Sequence, residues 1–169
     1  MKRVMIIGCG GAGKSTLARQ LGEKTGLPVV HLDRIWWAPG NWNHMVREEF
    51  DEILLAELEK PEWILDGNYN RTIEVRLEKC DTVIYLDFSR WTCLTGWIRR
   101  VIRNWGHARP DMGEGCAEWF DPEMAQWIWN FNKDNRERYY RLLNETDGVE
   151  KIVLKNRRMV KRFLRSLEV

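Results

Sequence analysis

Gly8-Cys9-Gly10-Gly11-Ala12-Gly13-Lys14-Ser15 has the residue types and spacing of a phosphate-binding loop, G-x-x-x-x-G-K-[ST]. The chemistry it offers is electrostatic. Gly8, Gly10, Gly11 and Gly13, with Ala12 between them, let the backbone wrap with its N–H groups aimed inward at phosphate oxygens. Lys14 supplies a point charge for the β- and γ-phosphates and Ser15 a hydroxyl for Mg²⁺. A helix starting at Ser15-Thr16 adds the positive end of its dipole. Ahead of the loop the apolar run Val4-Met5-Ile6-Ile7 reads as a buried strand, and behind it Leu17 and Leu21 lie four apart. A strand–loop–helix context is what such a motif needs, and the chain is expected to bind ATP with Mg²⁺.

Phosphoryl transfer also needs a partner for the metal and a group that orients or deprotonates the attacking oxygen. His31-Leu32-Asp33 and Leu65-Asp66-Gly67-Asn68-Tyr69 each follow an apolar run. In an open parallel sheet, ligands bind beyond the carboxyl ends of the strands. Asp33 and Asp66 are therefore the two acids placed for those jobs, and either could serve the metal or the acceptor. Asp87, after Ile84-Tyr85-Leu86, is expected to cap the helix beginning near Arg90. Arg71 and Arg76 follow Asp66 closely, and a phosphorylated acceptor would need such fork-shaped donors. Asn132-Lys133-Asp134 does not make a guanine-reading N-K-x-D, because the acid comes one place early and the segment is helical.

Residues 105–121 carry Gly106, Pro110, Gly113 and Gly115 with no periodic pattern, a long loop for a compact domain. Arg99, Arg100 and Arg103 precede it, Arg109 lies within it, and Arg136, Arg138 and Arg141 follow on the next helix. Singly, each suits a solvated helix face; as a set beside a phosphate loop they read as a lid over transferring phosphates, spanning about 99–141. Ten tryptophans are the compositional outlier, and most are expected in the core. Trp36, Trp37 and Trp42 follow a strand end and either line an acceptor pocket or pack inside.

The elements that must position these groups alternate. Strands are expected at Val4–Ile7, Pro28–Leu32, Trp63–Leu65, Thr82–Leu86 and Lys151–Leu154, with helices at 14–24, 45–59, 90–104, 122–145 and 157–167. Strands alternating with helices imply a parallel sheet covered on both faces, an α/β three-layer sandwich. At 169 residues the chain suits one domain, 1–169, with a proper core. A net charge of +2 selects no polyanionic partner. The four cysteines have no zinc spacing, and one lies in the phosphate loop, so a disulfide framework is not expected and a reducing, cytoplasmic setting is. The first strand starts by residue 4, which leaves no room for a signal peptide, and no stretch is long and apolar enough for a membrane span.

Together these residues resemble small P-loop kinases of the adenylate-kinase-like group, with the nearest likeness to FlaR-type "topology modulation" proteins. The likeness rests on Gly8–Ser15, on His31-Leu32-Asp33 with Trp36-Trp37, and on Trp63 through Tyr69. Asp81 through Asp87 and the Arg99/Arg100/Arg103 helix extend it over nearly the whole chain. The resemblance implies a five-stranded parallel sheet in the order 2-3-1-4-5 with a helical lid. It makes the chain an ATP- and Mg²⁺-dependent phosphotransferase acting on a small-molecule acceptor, a nucleoside or nucleotide among the candidates. Asp66-Gly67-Asn68-Tyr69-Asn70-Arg71-Thr72 resembles the D-G-F-P-R-T stretch of adenylate kinases, with one extra residue and no proline. It marks Asp66 and Arg71 for acceptor and metal. Asp33 falls where shikimate-kinase-like relatives carry an acid at the acceptor hydroxyl. Lid arginines map onto Arg100, Arg103 and Arg136, and the adenine side onto Lys155-Asn156-Arg157. The alternative is an ATP-binding regulator affecting DNA topology, without small-molecule kinase activity. Its motivation is the basic stretches at 99–109, 136–141 and 155–162, but no DNA-reading motif is present.

Overall fold

A strand buried on both faces must be apolar at every position, and β1 (Arg3–Gly8) is such a strand: Val4 through Ile7 are essentially inaccessible. In the computed structural model, which describes residues 1–167, β1 is the centre of a five-stranded sheet in the order β2-β3-β1-β4-β5. Its partners are β2 (Val29–His31), β3 (Trp63–Asp66), β4 (Thr82–Leu86) and β5 (Glu150–Leu154). Every pairing is parallel. The expected strand order is therefore the observed one.

The register brings the chemistry to one edge. Ile6 pairs with Asp66, Asp66 with His31, and Gly8 with Leu86, so the phosphate loop and both sequence-predicted acids leave the sheet at the same end. The strand order places β1 and β4 side by side, with the chain crossing to opposite sides of β1. That is where an open α/β sheet holds its ligands.

Among the described residues seven helices cover the faces: α1 (Lys14–Thr25), α2 (Leu32–Trp36), α3 (Arg47–Leu58), α4 (Ile73–Lys79), α5 (Arg90–Arg103), α6 (Pro122–Glu145) and α7 (Arg157–Ser166). A 3₁₀ turn, Asn70–Thr72, leads into α4. The long helices lie within a few residues of their expected positions. Capping explains the boundaries. Ser89 accepts from Thr92 N at α5, Asp121 with Pro122 behind it starts α6, and Asn156 accepts from Met159 N at α7. Two helices, α2 and α4, are absent from the sequence reading because five and seven residues are too few to display a 3.6-residue period.

Two expectations need correction. Asp87 does not cap α5; Ser89 does, while Asp87 is buried and takes Arg136 at 2.8 Å and the Tyr140 hydroxyl at 2.7 Å. Nor do most tryptophans fill the core. Trp63 and Trp97 are buried, Trp36 and Trp37 are half-buried, and Trp42, Trp91, Trp105, Trp119, Trp127 and Trp129 are exposed. The indole ring is too large for more than a few to fit around one sheet.

Backbone-to-backbone packing sets α5 against the phosphate loop. A Cβ at Gly11 would sit 2.1 Å from the Cys93 carbonyl oxygen, and one at Gly96 would sit 2.2 Å from that of Gly11. Glycine at both places lets the arginines one and two turns further along α5 reach over the loop.

Candidate active site

The phosphate loop takes the shape its glycines allow. Gly8, Gly11 and Gly13 have φ of 147°, 76° and 99°, where a side chain would be strained. Lys14 Nζ donates to the carbonyl oxygens of Gly8 at 2.9 Å and Cys9 at 3.2 Å, which lays the ammonium along the loop. Asn68 Oδ1 accepts from Gly8 N at 3.0 Å and ties the end of β3 to the start of the loop.

On the β2–β3 side, Asp33 Oδ1 accepts from the Tyr69 hydroxyl at 2.8 Å. Burial and the neighbouring Asp66 push the Asp33 carboxyl above the usual carboxylate range. Burial and Asp33 likewise keep the Tyr69 phenol protonated. Asp66 itself is nearly inaccessible and bonds to His31 Nδ1 at 2.8 Å. Arg76, fully buried, holds the turn between them. Its guanidinium donates to the carbonyl oxygens of Gly67 at 2.8 Å, of Tyr69 at 3.2 Å and of Asn68. Burial lowers its pKa to about 10, so it stays a cation at neutral pH.

The 105–121 segment forms no helix or strand of its own. It doubles back through isolated bridges, Trp105 to Glu118 and Ala108 to Ala117, and lies over the phosphate loop. A buried ladder of charges runs down from it. Arg100 Nε and Arg109 Nε both face Glu118 Oε1, at 3.2 and 2.5 Å, as ionic contacts without hydrogen-bond alignment. Arg109 Nη1 reaches Asp111 Oδ2 at 2.7 Å, and Arg19 approaches the other oxygen at 3.6 Å. Burial alone would raise the Asp111 pKa, but Arg109 and the Ser15 hydroxyl bring it below the usual carboxylate range.

All of this surrounds one open cavity of about 1140 Å³. Lining it are Gly10, Gly11, Gly13, Lys14, Ser15 and Thr16 from the loop, and Asp33, Gly67, Asn68 and Tyr69 from just beyond the ends of β2 and β3. Arg99, Arg100 and Arg103 of α5 and Arg109 of the following segment line it too, as do Trp37 and Trp42 after β2 and Trp97, Trp119 and Trp127. Arg157 also lines it, with Nη2 only 2.9 Å from a Cβ built at Gly96.

Some predicted site residues are elsewhere. Trp36 does not line the cavity; it packs edge-on against Phe50 at 5.4 Å and stacks on His44 at 4.9 Å. Asp66 lies behind the lining, against His31. Arg71 turns outward to form a two-pronged pair with Asp51, at 2.6 and 2.5 Å, beside a separate surface groove. Arg136 is drawn to Asp87, away from the cavity. In each case a nearer opposite charge or an apolar neighbour takes the side chain, and local spacing does not reveal it. Conversely, the sequence reading missed Arg19, Asp111 and Glu118. Arg19 sits four residues after Ser15, so the helical period could have found it; the two acids lie in an aperiodic segment with no such signal.

No protein-family model matches the chain, and no curated protein matches it. Solved structures do. Shikimate kinase from Acinetobacter baumannii in complex with shikimate superposes with a TM-score of 0.60 at 16% identity, covering 99% of this chain and 91% of that one. Shikimate kinase from Bacteroides thetaiotaomicron gives 0.59 at 14% identity, covering 99% and 96%. Deoxyadenosine kinase from M. mycoides with bound dCTP gives 0.51 at 17% identity, covering 98% of each. The fold is that of the small P-loop kinases. At such identities the likeness speaks for architecture, and function has to be argued from the site.

Proposed function

We propose that this chain transfers the γ-phosphoryl group of ATP to a small-molecule acceptor. The observation that carries the reading is the shared cavity. The phosphate loop and an acid with its own tyrosine partner, Asp33–Tyr69, line the same cavity. A plain nucleotidase needs no such acid–tyrosine pair beside its phosphate loop. The names of the structural neighbours, shikimate kinase and deoxyadenosine kinase, support the same class.

In this reading Lys14 and the backbone of Gly10 through Thr16 hold the β- and γ-phosphates. Asp33 orients the acceptor, and Arg100 and Arg103 neutralise charge at the transferring group. Arg157 lies against Gly13 and Gly96 on the wall proposed for the nucleotide. Mg²⁺ is a hard cation that takes oxygen ligands, and the chain offers the Ser15 hydroxyl with Asp111 beside it and Asp66 behind. When bound, the ion would offset the charge of the phosphate groups. An ADP-release assay with Mg·ATP against nucleosides, nucleoside monophosphates and hydroxylated metabolites tests the proposal, with Lys14→Ala as the blank. Acceptor-stimulated turnover supports it; Lys14-dependent hydrolysis indifferent to every acceptor overturns it.

One observation favours a second reading. In α7, Arg157, Arg158, Lys161, Arg162 and Arg165 are exposed, and Arg157–Ser166 contains no acid. Such a face suits a polyanion, as an ATP-binding regulator acting on DNA topology would need.

A further inference from the structure

The acceptor end of the cavity carries enough chemistry to decide between an alcohol and a phosphate ester. A phosphorylated acceptor needs a cation beyond the lid arginines Arg99, Arg100 and Arg103, which line the cavity and which the kinase reading gives to the transferring phosphate. The arginines that follow β3 and the one in the 105–121 segment are committed. Arg71 is clamped to Asp51 outside the cavity. Arg76 is fully buried and spends its guanidinium on backbone carbonyls of residues 67–69. Arg109 faces the cavity but is held between Asp111 and Glu118. The group that does present itself is a carboxyl, Asp33, which would repel a phosphate and suits a hydroxyl as a proton acceptor.

The body of the acceptor is read from the aromatic wall. Trp37 and Trp42 meet edge to face at 5.3 Å and line the cavity, and Trp42 is 43% exposed. An exposed indole is normally mobile, but this one is fixed. Its Nε1 donates to the Ala117 carbonyl oxygen at 3.1 Å. Its backbone, with that of Asn41, lies in the left-handed region at φ of 60° and 51°. Asn tolerates that region but a bulky tryptophan rarely adopts it, and such strain is retained where geometry has a use.

We propose, resting on the kinase reading above, that the acceptor is an uncharged alcohol carrying a flat ring, of the nucleoside class and not its monophosphate, with Asp33 at its hydroxyl and Trp42 against its ring. The hydroxyl oxygen forms a bond to the γ-phosphorus of ATP as the bond from that phosphorus to the β–γ bridging oxygen breaks. The hydroxyl proton passes to the Asp33 carboxylate, and ADP departs with the electron pair.

The test uses the full chain with Mg·ATP, product detection by mass spectrometry, and three matched sets: nucleosides and deoxynucleosides, their 5′-monophosphates, and ring-free polyols such as glycerol. At least one nucleoside is expected to exceed its own monophosphate by 100-fold or more in kcat/KM. With that substrate, Trp42→Ala should raise KM by roughly 10–100-fold with little change in kcat, the usual worth of one stacked base. Trp42→Phe should recover most of it. Monophosphates turned over as well as or better than nucleosides overturn the inference and leave the kinase standing. A polyol preferred over every nucleoside, or a Trp42→Ala effect on kcat alone, removes the ring. A flat panel with Lys14-dependent ATP binding intact sinks both the inference and the kinase.

Discussion

Asp33 shows how a single position sets stability against chemistry. Its folded pKa is raised, so between the ordinary carboxylate value and the folded one the native state binds the proton more tightly than the unfolded chain. That contribution is lost as pH rises through the folded pKa, and above it the ionised, half-buried acid is a burden. Asp33→Asn, which can still accept from Tyr69, is therefore expected to melt higher than wild type on the alkaline side of that folded pKa while losing about 10²–10⁴ in turnover; calorimetry across pH and the ADP assay check the two halves. Asp66→Asn removes the like charge that adds to the shift, so the acid limb of the pH–rate profile should move to lower pH. Arg103, exposed and lining the cavity, should behave as a transition-state cation, with Arg103→Ala costing ~10³–10⁵ in kcat. Turnover within a few-fold of wild type would remove the lid assignment.

At the scale of elements, the segment after β2 and the segment after α5 are joined across the cavity. Asn41 N donates to Glu114 O at 2.9 Å, Trp42 N to Cys116 Sγ at 3.3 Å, and Trp42 Nε1 to Ala117 O. Glycines make the approach possible: a Cβ at Gly113 would fall 1.7 Å from Trp37 O, and one at Gly115 2.2 Å from Asn41 Oδ1. Gly113→Ala should push the two segments apart and raise KM for both substrates. Gly106→Ala, at a positive φ of 72° but with nothing within 4 Å, should cost only about 1 kcal/mol of stability and leave KM alone. Equal KM values for the two variants in steady-state assays would show that the junction does not govern binding. Arg76→Met removes the donor to the backbone carbonyls of Gly67, Asn68, Tyr69 and Thr72, and a loss of at least ~3 kcal/mol in urea unfolding is expected.

For the whole molecule, ligand binding should appear as stability. Mg·ATP at one hundred times its Kd adds about 2.7 kcal/mol, roughly 6–10 °C in Tm for a chain of this size, and Lys14→Ala should abolish the shift. Among the described residues no helix is long and apolar enough to cross a membrane. The basic face of α7 is the counterweight to the kinase reading. Filter binding of duplex DNA no tighter than ~10⁻⁴ M at physiological salt is the expected result, and a salt-sensitive Kd in the nanomolar range would shift the balance toward the regulator.

What the amino-acid sequence determined by itself is the part carried by local rules. Glycines at fixed offsets and the lysine after them shape the phosphate loop. The apolar run of β1 gives a strand buried on both faces, and the alternation of strands and helices gives the parallel sheet. Each is legible because its cause lies within a few residues. Which side chains face the cavity was decided only by the tertiary structure, because a charged side chain follows its nearest opposite charge across the fold. Arg71 went to Asp51, twenty residues away, Arg136 to Asp87, forty-nine away, and Arg109 between Asp111 and Glu118 in the same aperiodic segment. Trp36 packed inward and Trp42 was left at the wall for a similar reason. The one found Phe50 on α3, while the other was held out by a bond to the lid backbone.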